Sequence, residues 1–287
     1  MTSFIRLFRF ALYLCNVFTI NMESFKGKVI WITGASSGIG EALVHAFANL
    51  GAKVILTARR EQELLRVRNE AKLTESDSLI LPMDLYHTED ISQPMEKIKA
   101  KFGTIDILVC NAGVVQRFAV NDSPVAIDRQ IMELNFFANT TLTKAVLPIM
   151  LGKKSGHIVV ISSVLGKVAL PKRSMYAASK HALHGFYDAL RSEVYRDNIG
   201  VTIICPGYVK TNISVNALDA SGKKYGKMDE GQENGISPEK CAKGIIRAIS
   251  KNKDEVFIGG KEIRVILLKR FFPGLLNYIL KRRSFPS

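Results

Sequence analysis

Seven short runs of aliphatic and β-branched residues, separated by stretches of helical periodicity, constrain this chain more than any other feature. The runs are Val29–Thr33, Lys53–Ala58, Ser78–Met83, Ile105–Cys110, His157–Ser162, Val201–Cys205 and Glu255–Ile258. Each is apolar almost throughout rather than alternating, as a strand must be when both faces of its sheet are covered. Between them, Ile39–Leu50, Glu61–Leu73, Thr88–Phe102, Pro124–Met150 and Ser174–Asp197 carry apolar residues at helical spacing. Strands alternating with helices specify an α/β fold, here a Rossmann-type doubly wound parallel sheet of about seven strands with right-handed crossovers. A length of 287 residues can bury one such core. No repeat, linker tract or low-complexity segment marks a second one. The reading is a single domain over residues 26–260, flanked by an apolar segment, 1–25, and a basic apolar tail, 261–287.

Charge and cysteine content narrow the class. The formal net charge is +14. Seven of the basic side chains lie in residues 261–287 against one acid, Glu262. Basic charge gathered at apolar chain ends favours an anionic lipid surface, and no nucleic-acid-binding motif is present. The run from Leu7 to Ile20 is short for a membrane span, which needs ~20 apolar residues, and Arg9 interrupts it. It reads as an uncleaved anchor or interfacial segment, with a disordered extension as the alternative. Cys15, Cys110, Cys205 and Cys241 have neither disulfide-framework nor metal-ligand spacing, so no metal site is expected. Cys110 and Cys205 end apolar runs and read as buried thiols in a reducing compartment.

Three local signals carry chemistry. Directly after the first strand comes Thr33-Gly34-Ala35-Ser36-Ser37-Gly38-Ile39-Gly40, opening a helix. Glycines there let backbone approach a pyrophosphate, and the helix start supplies unpaired N–H groups and a positive dipole end. After the second strand stand Arg59 and Arg60. An acidic residue at that point would hold ribose hydroxyls, whereas a guanidinium suits a phosphate, so the cofactor expected is NADP(H), with Arg59 the first choice. The third signal is Tyr176-Ala-Ala-Ser-Lys180, which puts a phenol and an ammonium on one helix face. The ammonium is expected to draw the phenol's pKa down from about 10 toward neutrality. Ser163, thirteen residues before Tyr176, could hold a substrate oxygen while Tyr176 gives or takes a proton. His181 and His184 read as surface or packing residues without an acidic partner, and Phe136 and Phe137 as core.

Together these motifs resemble the short-chain dehydrogenase/reductase family over about Lys26 to Gly260. The resemblance implies a catalytic tetrad of Asn135, Ser163, Tyr176 and Lys180. Asn135 would support a water-linked proton relay through Lys180, which would also bind the nicotinamide ribose. Asp84 and Leu85 would hold the adenine; Asn111, Ala112 and Gly113 would support the cofactor and the central sheet; Pro206, Gly207, Val209 and Thr211 would contact its nicotinamide end. The family commonly has a further Asn where this chain has Cys110.

Two segments remain. The polar stretch Asn212–Gly235 follows the sixth strand, where ligands bind in open α/β sheets, and reads as a lid or mobile loop. The tail from Ile263 to Arg283 is apolar, edged by basic residues and broken at Pro273-Gly274. It is too interrupted to span a bilayer and suits its interface, with packing on the protein or on a second subunit as the alternative. The tail and the Arg59 turn are similar to the family's membrane-associated branch, which implies a lipophilic carbonyl or alcohol substrate such as a steroid, retinoid or lipid ketone. It further implies a place at the endoplasmic reticulum membrane and a homodimer or homotetramer.

Overall fold

The computed structural model describes residues 24–282. The expectation of an N-terminal anchor falls on residues 1–23, and the end of the tail on 283–287, outside the described residues. Phe25, which the sequence pattern assigned to the N-terminal segment, belongs to the domain: it is buried and packs edge-on against Phe47.

All seven expected strands form: β1 Val29–Thr33, β2 Lys53–Thr57, β3 Ser78–Ile80, β4 Ile107–Cys110, β5 Gly156–Ile161, β6 Ile199–Pro206 and β7 Glu255–Ile258. They make one parallel sheet in the order β3-β2-β1-β4-β5-β6-β7. Along β1, Ile30 and Ile32 enter the apolar layer on one face, and Val29 and Trp31 the layer on the other. That split explains the unbroken apolar run, because each side chain has a covered face to enter. Helix α1 (Gly38–Ala48) covers the first face with Leu43, Val44 and Phe47. Helices α2 (Glu61–Glu70) and α3 (Ser92–Phe102) follow, the latter stopped by Gly103 in the left-handed region at φ 71°.

The stretch expected as one helix from Pro124 to Met150 is three pieces. Helix α4 (Val125–Met132) passes through a π-helical turn, Glu133–Phe137, into α5 (Ala138–Lys153). The wider turn shifts the helical register, so Phe136 is partly buried while Phe137 is 49% exposed, not core. Helix α6 (Ser174–Val194) lies beside α5 on the second face, burying Leu183, Tyr187 and Leu190. After β6 the chain makes the loop expected at 212–235, with one short helix α7 (Glu230–Glu233) inside it. Helix α8 (Pro238–Ser250), which the periodicity did not single out, completes the first face beside α1. Ser237 accepts from the Lys240 amide and Pro238 opens its first turn. The tail forms α9 (Val265–Phe271) and α10 (Pro273–Arg282), parted where expected. No described helix is long and apolar enough to cross a membrane.

Candidate active site

The strand order reverses between β1 and β4, so the loops leaving their carboxyl ends diverge and open a crevice. The glycine-rich turn forms one wall. Gly34 and Gly38 have φ of 65° and 59°, values L side chains rarely adopt. A Cβ on Gly40 would lie 2.2 Å from the Gly34 carbonyl oxygen, so only glycine allows helix and turn to close. Ser37, at the helix start, makes no side-chain bond to the first-turn amides, which leaves those donors to the crevice. Asn111 locks the turn: its amide and that of Ala112 donate to Thr33 Oγ1 at 2.9 and 3.1 Å, and its Nδ2 donates to the Thr33 carbonyl at 2.9 Å. Thr211 packs against Gly38 from the opposite side. A dinucleotide's pyrophosphate fits this cradle of glycines and open amides.

Arg60 lines the same cleft as Ser36, Ser37 and Gly38. Arg59 is exposed and acts electrostatically on the Tyr86 phenol, just after Asp84 and the buried Leu85. Arg66 also lines the cleft, but Glu41, Glu63 and Glu70 surround its guanidinium and hold its pKa well above the usual value. At the other end, Pro206 closes β6, Val209 is buried, and Gly207 leaves room for Glu262, whose Oε1 accepts from the Tyr208 and Gly260 amides at 2.9 Å each. Nothing in the sequence pattern pointed to Glu262.

The four tetrad positions converge. Tyr176 is 8% exposed and Lys180 3%. The Lys180 amine lies 5.6 Å from the Tyr176 ring centroid and donates to the Ile161 carbonyl at 2.8 Å. Ser163 begins the turn after β5, where its Oγ accepts from the Leu165 amide at 3.0 Å, and its hydroxyl bonds Tyr176. Asn135 sits in the π turn, fully buried. Its side chain bonds the Val114 amide and carbonyl and Ser179 Oγ, so it braces the loop after β4 against α6. Gly113 lies between: a Cβ there would be 3.1 Å from Asn135 Oδ1 and 3.5 Å from the Lys180 amine.

The expected lowering of the tyrosine's pKa is not found. Burial pushes Tyr176 up to about 12, and the Ser163 hydrogen bond pulls it back only in part. The ammonium stands near the ring with a proton committed to Ile161. Burial also drives Lys180 down, from 10.5 to about 8. At neutral pH the phenol therefore holds its proton and the lysine its charge.

His184 departs from expectation as well. It packs under the site, as expected, but it has an acidic partner. Its Nε2 is 3.0 Å from Ser162 Oγ, and its Nδ1 is at ion-pair distance, 3.2 Å, from Glu255 Oε2 without hydrogen-bond alignment. Burial alone would raise Glu255, but His184 and Lys167 hold it low. His181 is on the surface. Cys110, Cys205 and Cys241 are buried thiols, each pushed up to about 12 by burial.

A doubly wound sheet with this turn and this serine, tyrosine and lysine defines a nicotinamide-dependent oxidoreductase class, and comparison with known proteins agrees. Residues 28–221 match the family model for short chain dehydrogenases, so the chain belongs to the short-chain dehydrogenase/reductase family. It is 43% identical over 270 residues to a dehydrogenase/reductase SDR family protein 7-like of Anopheles gambiae, covering 92% of this chain and 85% of that one. Among solved structures it is similar to a metagenomic short-chain oxidoreductase in complex with NADP, at 28% identity and a TM-score of 0.68, covering 82% of this chain and 98% of that one. The fold is shared with a Burkholderia phymatum enzyme in complex with NAD, at 23% identity and a TM-score of 0.77, covering 92% and 98%.

The buried ammonium makes this site costly to the fold. Its shift from 10.5 to about 8 corresponds to roughly 3 kcal/mol, against ~1 kcal/mol for the bond to Ile161. Lys180→Met is therefore expected to stabilise the folded protein by roughly 2 kcal/mol at pH 7 while removing activity. The folded-state pKa is depressed, so the charging cost is full below about pH 8 and fades as pH rises toward 10.5. Urea unfolding of both forms at pH 7 and pH 10 checks this; a variant less stable than wild type at pH 7 would refute it.

Proposed function

We propose that this protein is an NADP(H)-dependent oxidoreductase that interconverts a lipophilic carbonyl and its alcohol, with Tyr176 as general acid and base. The observation that carries the reading is the buried Tyr176 phenol, bonded to Ser163 and packed in an apolar cluster with Val115, Ala217, Leu165, Ile213 and Tyr225. Bound NADPH supplies the hydride. Ser163 holds the substrate oxygen, Tyr176 donates its proton to that oxygen in reduction and takes it back in oxidation, and Lys180 keeps a positive charge beside the phenolate that this leaves. Asn135 supports the proton's return path by fixing the loop after β4 against α6. Preference for NADP(H) rests on Arg59 and Arg60, which stand where an acidic residue would hold the ribose hydroxyls of NAD.

The tail supports a membrane surface, of the endoplasmic reticulum on the family reading, as the partner that delivers such a substrate. Leu267, Phe271 and Phe272 are 58%, 65% and 61% exposed, and Lys269, Arg270, Lys281 and Arg282 stand among them. Apolar burial would supply the larger share at roughly 25 cal/mol per Å², and each basic residue about 1 kcal/mol at an anionic leaflet. A homodimer or homotetramer is part of the reading, supported by exposed Val125 and Phe137 on α4 and the π turn; light scattering decides between the two.

Tyr176→Phe deletes only the transferable proton. It is expected to lower NADPH oxidation with steroid, retinoid or lipid ketones by at least about a thousandfold while NADPH still binds; near-normal turnover would end the mechanism. Arg59→Asp, alone or with Arg60→Ala, is expected to weaken NADPH more than NADH in fluorescence titrations, and equal losses would show that neither arginine reads the phosphate. For the tail, flotation with anionic liposomes should recover protein lacking residues 1–22 and lose it when residues 262–287 are also removed. Neutralising Lys269, Arg270, Lys281 and Arg282 should leave weak, salt-insensitive binding. If both truncated forms float, or neither does, the tail is not the anchor.

A further inference from the structure

The helix that carries Tyr176 starts without a cap of its own. Arg173 stands at the N-cap of α6 and makes no side-chain bond to the first-turn amides, which are donors needing partners. The Tyr176 amide donates instead to Gln116 Oε1 at 2.9 Å, from the loop after β4. Gln116 Nε2 then donates to Ser174 Oγ at 3.1 Å. Because a backbone N–H can only donate, this bond fixes which end of the glutamine faces the helix. Gln116 is 0% exposed, so these bonds are what satisfies a buried amide group.

The same residue is fastened to the loop that follows β6. Gln116 pairs with Leu218 in a parallel bridge, the Leu218 amide donating to Val115 O at 2.8 Å and the Arg117 amide to Leu218 O at 2.9 Å. The Arg117 guanidinium sits over the Tyr225 ring and ion-pairs with Asp229 at the far end of that loop. Arg173, at the start of α6, reaches the same carboxylate at 3.5 Å. The loop is thus tied at Leu218 and at Asp229 to the two segments that seat the tyrosine.

We propose that Gln116 is a positioning residue that couples closure of the 212–235 loop to the placement of Tyr176, so that the phenol is seated for proton transfer when the loop is down. Breaking the Asp229 latch loosens the loop, the loop releases the Leu218 bridge, and Gln116 then no longer holds the first turn of α6. The kinetic part of the test rests on the reductase reading; the exchange part does not.

Hydrogen–deuterium exchange on the full chain compares wild type with Gln116→Met and Asp229→Asn. Loss of one buried bond should speed amide exchange about fivefold. Gln116→Met should show this in residues 174–178, and Asp229→Asn in both 212–235 and 174–178. If Asp229→Asn speeds exchange in the loop and leaves 174–178 at the wild-type rate, the coupling is wrong; that variant decides alone should Gln116→Met not fold. In NADPH oxidation with 9,10-phenanthrenequinone as the apolar carbonyl, Gln116→Met should lower kcat about tenfold and leave NADPH affinity within about twofold. Gln116→Glu keeps the acceptor and should recover most of kcat. A wild-type kcat in Gln116→Met, or a parallel loss of NADPH affinity, overturns the positioning role. A wild-type protein inert toward the quinone counts against the reductase reading and leaves the exchange result to stand by itself.

Discussion

The bonding between Thr33 and the segment Asn111-Ala112 holds the rest of the site in place. It joins the ends of β1 and β4, the two strands between which the sheet reverses direction, with the Thr33 hydroxyl accepting two amides and passing its own proton to Val109 O at 3.3 Å. Parallel strands alone fix the spacing of their ends but not the paths of the loops that leave them. Here the side chains of Thr33 and Asn111 do that, one gripping the loop after β4 and the other the glycine turn after β1. Much of the rest of the site leans on those loops, while Ser163 and Lys180 are held by the end of β5 and the turn after it. The phosphate cradle extends from the first, and Asn135 and Gln116 brace the second against α6.

Burial acts on the tyrosine and the lysine in the same sense, toward the neutral form, but from opposite starting points. The phenol at about 12 is neutral at pH 7, while the lysine at about 8 stays charged. For the proposed reaction this asymmetry is favourable. Among the described residues the ammonium of the resting site hydrogen-bonds a carbonyl dipole rather than a carboxylate, and the phenol carries no charge that needs it. Once Tyr176 gives up its proton, the phenolate lies beside a charge already present and already desolvated. An interaction stronger after proton transfer than before is the kind that accelerates the step rather than merely tightening binding. The same reasoning explains why the sequence suggested the wrong direction for the tyrosine. A Tyr and a Lys four residues apart reveal a neighbouring charge, but not how much solvent the fold removes.

The features legible in the sequence were local or periodic. The strands were readable because two covered faces demand unbroken apolar runs, and the glycine turn and the Tyr176–Lys180 pair because their parts are close in the chain. The π turn was not, since an added residue in a helix leaves composition unchanged and only rotates the residues beyond it. Reading 124–150 as one helix therefore also misplaced Phe137. Gln116, Glu255 and Glu262 were invisible for a different reason. Each is an ordinary polar residue whose partner, respectively Tyr176, His184 and Tyr208, comes from another element of the fold. Only the sheet order β4-β5-β6-β7, which sets these elements side by side, assigns them anything to do.

Glu262 also bears on how the tail faces its surroundings. It is the single acid in residues 261–287, and its carboxylate turns inward onto the Tyr208 and Gly260 amides. Gly207 permits this, because a Cβ there would lie 2.0 Å from Glu262 Oε1. The charges carried by α9 and α10 are all basic, and they flank exposed Phe271, Phe272 and Tyr278. Arg282 lies 4.3 Å from the Tyr278 ring centroid, an arrangement that keeps a guanidinium and an aromatic face together at one edge of the surface. One side chain, that of Glu262, thus anchors the start of the tail to the turn after β6.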